Sequence, residues 1–228
     1  CGPDPVCGES CGTCPDGKKT VVALITVAVL VLFTLATVWF LWIGAPTDGP
    51  DIGRYDNPQT ALLVVDLQED FTGPGRVKNI LNADDTVRRA GDLVAQAVAT
   101  GRPVAYIRAI YESPVLRFMM GGLAAPDEPG SRMDARLPSL TAIPVFTKTR
   151  GDAFSNPDLD RWLRDNRVDH VVIVGIDAFY CVDDTINGAL NRGYKVTAAM
   201  DAISTGTSRD IKEIAAKWKA AGVNTELR

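Results

Sequence analysis

Three stretches of this sequence end in side chains that can do chemistry together. Val64-Val65-Asp66-Leu67-Gln68 sets a carboxylate after an apolar run, Val145-Phe146-Thr147-Lys148 sets an amine, and Val174-Gly175-Ile176-Asp177-Ala178-Phe179-Tyr180-Cys181 sets a thiol. Those groups suit nucleophilic catalysis by sulfur. The thiolate is the attacking form, and a helix N-terminus with a nearby cation lowers a thiol's pKa. The carboxylate can take the thiol proton and later activate water. Backbone N–H groups at the start of a helix opening on Cys181 can hold an oxyanion. Singly, each residue also has an ordinary role: a small buried cysteine, a turn aspartate, a surface lysine. Their coincidence after three apolar runs argues for a site.

The elements that must position them follow from the pattern of apolar residues. Six short runs, at 61–65, 103–107, 143–146, 170–174, 195–199 and weakly near Val223, alternate with helical patterns at about 78–100, 157–166, 181–192 and 208–221. The runs are nearly continuous, as in strands buried on both faces. Gly101, Gly193 and Gly222 fall just past three of the helices, where a left-handed cap wants glycine. The alternation predicts an α/β fold with a doubly wound, six-stranded, mostly parallel sheet and helices on both faces. In such sheets the active crevice lies beyond the carboxyl ends of the strands. Asp66, Lys148 and Cys181 all stand there.

Before this domain the chain has a different character. Residues 21–43 carry no charge and are interrupted only by Thr26, Thr34 and Thr37. At about 1.5 Å per residue they reach about 34 Å, enough for a bilayer core of about 30 Å. Trp39 and Trp42 near the end suit a membrane interface. The expected organisation is a tail at 1–20, one transmembrane helix at 21–43, a Gly/Pro/Asp linker at 44–60 and a globular domain at 61–228. Lys18 and Lys19 precede the span and no basic residue follows until Arg54, which leans toward a single-pass protein with an external or periplasmic domain. A lipid-modified Cys1 would reverse that order. The 228 residues are 46% hydrophobic, enough for a core, and a net charge of -4 argues against nucleic acid as a partner.

The tail concentrates four cysteines, Cys1, Cys7, Cys11 and Cys14, within fourteen residues. They could hold zinc or an iron–sulfur cluster, pair as two disulfides, or be acylated beside the membrane.

The strand-end stretches resemble the isochorismatase-like cysteine hydrolases. The resemblance runs from Ala61-Leu-Leu-Val-Val-Asp66 through Phe146-Thr-Lys148 to the segment from Val174 to Tyr194, and takes in Pro129-Gly130-Ser131, Asp152-Ala-Phe154 and Asp201-Ala202. It implies Cys181 as nucleophile, Asp66 as general base and acid, and Lys148 as the cation that stabilises the charged pair. It also implies a non-proline cis peptide at Ile176–Asp177, which turns the backbone N–H groups of Asp177 and Cys181 toward an oxyanion. The expected substrates are small amides and ureido compounds, opened at a C–N bond through an acyl-enzyme, with no cofactor needed for hydrolysis. Nicotinamidases of this family bind a metal through an Asp-x-His after the second strand, yet here 106–112 has no histidine, and the single His170 opens the fourth strand.

Around the triad, Arg108 could grip a substrate carboxylate or pair with Asp70, Glu112 or Asp134. Phe71, Phe154, Phe179 and Tyr180 could line a pocket or pack the core. The loop at 112–136 reads as a lid or an oligomer contact. Two functional classes stay open: a membrane-tethered hydrolase, as a homo-oligomer or a subunit of a larger membrane complex, and an accessory subunit of such a complex that uses the fold for docking.

Overall fold

A computed structural model of the chain describes residues 17–76, 79–139 and 141–225. Cys1, Cys7, Cys11 and Cys14 lie outside these residues. The rest divides into two compact units, one ending at Ile43 and one beginning at Gly44.

The first unit is the helix α1 (Gly17–Ile43). Its stretch Lys18–Trp42, 25 residues, is long and apolar enough to cross a membrane. Every side chain in that stretch is exposed. The hydroxyls of Thr26, Thr34 and Thr37 donate to the carbonyls of Val22, Leu30 and Phe33 at 2.9, 2.8 and 2.8 Å. Each of these three hydroxyls is thereby satisfied within its own turn, as an apolar solvent requires.

The second unit is an α/β domain. Its strands are β1 (Gln59–Val65), β2 (Val104–Ala109), β3 (Val145–Lys148), β4 (Val168–Gly175) and β5 (Lys195–Ile203). Its helices are α2 (Ala83–Ala99), α3 (Pro114–Met119), α4 (Pro157–Asp165), α5 (Cys181–Leu190) and α6 (Ile211–Ala220). The strands run in the order β3-β2-β1-β4-β5, all parallel. From β1 the chain winds outward through β2 to β3, then returns to place β4 on the other side of β1. That reversal puts the switch point of the sheet between β1 and β4.

The near-continuous apolar strands are explained by two cores. One face packs Leu63, Val65, Ile107 and Ile173 against Leu159, Ile186 and Trp218. The other packs Leu62, Val64 and Val104 against Val87, Ala90 and Val94 of α2. Gly101, Gly193 and Gly222 adopt positive φ past α2, α5 and α6, as their spacing predicts.

The sheet has five strands, not six. Near Val223 the described chain makes a single parallel bridge, Asn224 with Thr197, through Asn224 N to Val196 O at 2.9 Å and Ala198 N to Asn224 O at 2.8 Å. Gly222 has just left α6 with φ +86°, and one bridging residue beyond that turn is too little for a strand. The helix α3 was not visible in the sequence. It is six residues long with no buried side chain, so it lacks the apolar periodicity that betrays a core-packed helix.

Candidate active site

Asp66 follows the last residue of β1 and takes φ +53°. This left-handed conformation, tolerated by aspartate, ends the strand and leaves the carboxylate buried. Lys148 closes β3, two strands away, and its long side chain crosses the sheet edge. Its Nζ lies 2.9 Å from Asp66 Oδ2, with side chains 0% and 3% exposed. The same Nζ donates to Arg150 O at 3.1 Å and to Cys181 Sγ at 3.1 Å. Cys181 begins α5, partly exposed, and is the one cysteine among the described residues. The other Asp66 oxygen, Oδ1, is buried without a hydrogen-bond partner among the described residues.

The segment between β4 and α5 sets the thiol. Gly175 has φ +125°, and a Cβ there would sit 2.0 Å from Val65 O, so only glycine lets β4 pass β1 at this point. A cis peptide joins Ile176 to Asp177. The Asp177 carboxylate is occupied: it accepts from Phe179 N at 3.0 Å, Thr205 Oγ1 at 2.8 Å and Gly206 N at 2.7 Å. The backbone N–H groups of Asp177 and Cys181, by contrast, donate to no acceptor among the described residues.

Electrostatics shape what these groups can do. Burial would push the Lys148 ammonium down, yet Asp66, Cys181 and Tyr111 together more than offset it, and the net direction is up. Lys148 is therefore a fixed cation. Burial pushes the Cys181 thiol up to about 12, and Lys148, which draws it down, is opposed by the Asp66 carboxylate. Lys148 lowers the thiol as the sequence leads one to expect, but burial and Asp66 act against it. One ammonium neutralises one anion, and Asp66 already fills that role, so a buried second anion is disfavoured. The direction is toward a protonated thiol beside the Lys148–Asp66 contact.

Several residues near the triad take roles that the sequence did not assign them. Tyr111, just beyond β2, is held well above its usual range, chiefly by burial and also by its proximity to Cys181 and Asp66. Gln68 is fully buried and staples the ends of β1 and β2: its Nε2 donates to Ala109 O and Ser131 O, and its Oε1 accepts from Ala109 N at 2.7 Å. No periodicity marks a buried glutamine. Its one signal was its place two residues after Asp66. Asp70 and Asp134 pin the loop at 112–136, through Ala124 N to Asp70 Oδ2 at 2.7 Å and Asp134 N to Leu67 O at 2.8 Å.

The proposed substrate contacts separate in space. Arg108 donates from Nε to Thr147 Oγ1 at 3.0 Å. Thr147 and Lys148 point to opposite faces of β3, so Arg108, held on Thr147, follows the face of β3 away from the Lys148 side chain. Asp134 pairs with Arg136 instead, at 2.6 Å. Phe71 and Phe154 are buried in opposite cores, and Phe154 packs on Tyr194 and under Arg192. Phe179 is covered by the Arg209 guanidinium at 3.9 Å. Tyr180 alone is open, 58% exposed, directly before Cys181.

His170 exchanges a hydrogen bond of 2.8 Å with Thr197 Oγ1 at the start of β4. Among the described residues no three His, Cys, Asp or Glu side chains are grouped to hold a metal ion. The donors at the triad edge therefore do not fit a histidine-rich metal centre.

Residues 60–224 match the isochorismatase domain family. The chain belongs to the isochorismatase family. Among its relatives is the isochorismatase-family protein YddQ of Bacillus subtilis, 28% identical over 148 residues, covering 65% of this chain and 79% of that one. The nicotinamidase of Escherichia coli is 28% identical over 176 residues, with 63% and 82% covered. Among solved structures, N-carbamoylsarcosine amidase from Thermoplasma acidophilum superposes with a TM-score of 0.66 at 26% identity, over 73% of this chain and 94% of that one. An isochorismatase-family hydrolase domain thus follows the apolar helix.

Proposed function

We propose that this protein is a membrane-anchored cysteine hydrolase that opens a C–N bond, amide or ureido, of a small molecule through Cys181, Asp66 and Lys148. One observation carries this: a single buried ammonium contacts both a carboxylate, at 2.9 Å, and a thiol, at 3.1 Å. The amide-cleaving relatives support the bond type, and α1 supports the anchor.

The chemistry follows from the resting protonation. As Sγ attacks the carbonyl carbon, its proton passes to Asp66, whose Oδ1 is free to take it. The negative charge moves from sulfur to the carbonyl oxygen, where the N–H groups of Asp177 and Cys181 receive it. Lys148 holds its place throughout and offsets the carboxylate and the transient thiolate in turn. Collapse of the adduct breaks the C–N bond, and Asp66 gives its proton to the leaving nitrogen. Water then attacks the thioester, Asp66 accepts its proton, and the carboxylic acid departs with the thiol restored. Tyr180, exposed directly before Cys181, is free to meet the substrate. No metal or organic cofactor enters these steps.

The test is release of ammonia or amine from a panel containing nicotinamide, N-carbamoylsarcosine and simple aryl amides, using the full chain in detergent. Turnover of at least one member, abolished in Cys181→Ala, is expected. Hydrolysis that survives Cys181→Ala overturns the assignment.

A further inference from the structure

Residues 45–52, between α1 and β1, lie outside the matched family domain and run along the domain in a series of hydrogen bonds. Arg150 Nη2 donates to Ala45 O at 2.9 Å. Thr47 donates twice to Asp152 Oδ2, from N at 2.8 Å and from Oγ1 at 2.5 Å. Arg192 donates to Thr47 O and Asp48 O, each at 2.9 Å, and receives Ile52 N on its own carbonyl at 2.8 Å. Arg164 takes the carbonyls of Pro50 and Asp51. A Gly/Pro/Asp segment of this kind reads as a free linker, yet its backbone is held almost residue by residue.

Two of its anchors, Arg150 and Asp152, belong to the loop that supports Lys148. Arg150 supplies the carbonyl at 3.1 Å from Lys148 Nζ. Asp152 is fully buried. Its Oδ1 accepts from Phe154 N at 2.8 Å, and its carboxylate lies so close over Gly188 of α5 that a Cβ there would clash at 2.3 Å. Ala153 N donates to Thr185 Oγ1 at 3.1 Å, and that hydroxyl donates to Cys181 O at 2.7 Å. The loop at 150–154 therefore touches Lys148 at one end and the nucleophile's helix at the other. Both donors to Asp152 Oδ2 come from Thr47. Without them a buried carboxylate would keep one backbone donor, an arrangement that costs stability and favours movement of the loop.

We propose that residues 45–52 are a positioning strap for the active site. Thr47, through Asp152, holds the loop whose Arg150 carbonyl fixes the Lys148 ammonium against Asp66 and Cys181. Thr47 and Asp152 are positioning residues, acting through Lys148. The proposal rests on the hydrolase assignment, but it can be read without a substrate.

The experiment measures alkylation of Cys181 by iodoacetamide in the full chain in detergent, followed by peptide mass spectrometry between pH 7.5 and 10.5, with thermal melting in parallel. Thr47→Val removes the hydroxyl and Thr47→Pro removes hydroxyl and N–H, while Thr47→Ser keeps both. If Lys148 loses its support, its pull on the thiol weakens, and the labelling curve moves to higher pH. The expected result is labelling slowed by about threefold or more in Thr47→Val, further in Thr47→Pro, and within about twofold of wild type in Thr47→Ser. Curves for Thr47→Val and Thr47→Pro that coincide with wild type, or move to lower pH, overturn the strap whether or not the melting temperature falls. Hydrolysis surviving in Cys181→Ala removes the underlying assignment instead, and the two failures are distinct.

Discussion

The Lys148 ammonium and the Asp66 carboxylate meet at 2.9 Å, from strands that are not neighbours in the sheet, with neither side chain more than 3% exposed. This pair governs the site. In the proposed hydrolase it would supply a cation where sulfur transiently ionises, while at rest that cation is paired with the Asp66 carboxylate. A thiol beside a neutralised pair is quiet until its proton can move to Asp66.

The two partners should move the thiol in opposite directions. Asp66 raises the Cys181 pKa and Lys148 lowers it. Asp66→Asn should therefore make Cys181 alkylate faster at pH 8 while turnover falls, because the proton acceptor is gone. Lys148→Met should slow both. Iodoacetamide labelling read at the Cys181 peptide, beside a turnover assay, checks this. Slower labelling in Asp66→Asn would count against the pair as described.

Breaking the pair should cost more stability than removing it. Lys148→Met leaves a buried carboxylate without its cation, and such losses run to about 3–5 kcal/mol. Combining it with Asp66→Asn removes both charges and should recover a large share. Urea unfolding of the two single variants and the double variant measures the coupling.

Asp184 predicts a pH dependence of stability. It sits one turn after Cys181, and burial, with Asp183 adding repulsion, raises its carboxyl to about 7 from an ordinary value near 3.8. Folding holds this proton more tightly than the unfolded chain does. Its contribution is favourable below about pH 4 and is lost as pH rises through 7. Asp184→Asn should raise the melting temperature at pH 8 by about 3 °C or more, and change it little at pH 4. Parallel melts at the two pH values test this, and an equal shift at both would contradict the assignment.

The α1 helix predicts behaviour on fractionation. The full chain should stay with membranes through an alkaline carbonate wash and enter solution with detergent. A chain lacking residues 1–43 should appear in the soluble fraction. Release of the full chain by carbonate alone would overturn the anchor.

Much of this protein is local in origin, and that part was legible in the sequence. The uncharged run at 21–43 makes a helix from its own hydrogen bonds, whatever follows. Continuous runs such as Ala61 to Val65 are strands buried on both faces because no polar side chain interrupts them, and glycines past α2, α5 and α6 end those helices by their own φ. The order of motifs ending in Asp66, Lys148 and Cys181 resembled one family, and the five-stranded parallel sheet agrees with it. The run near Val223 misled because one bridge and a strand look alike over so few residues.

Tertiary structure decided what depends on distance through space. The order β3-β2-β1-β4-β5 brings an amine two strands away onto a carboxylate. Strand alternation turns Arg108 to the far face, although it stands at the same sheet edge. Phe71 and Phe154 enter opposite cores while Tyr180 stays in solvent, a distinction their residue types do not contain. The thiol's pKa rises because desolvation and the Asp66 charge outweigh the lysine, a balance set by burial and not by the order of residues. A linker becomes a strap because its carbonyls find Arg150, Arg164 and Arg192, each more than a hundred residues downstream. Spacing along the chain sets which elements form. Only their packing sets which charges, donors and acceptors meet.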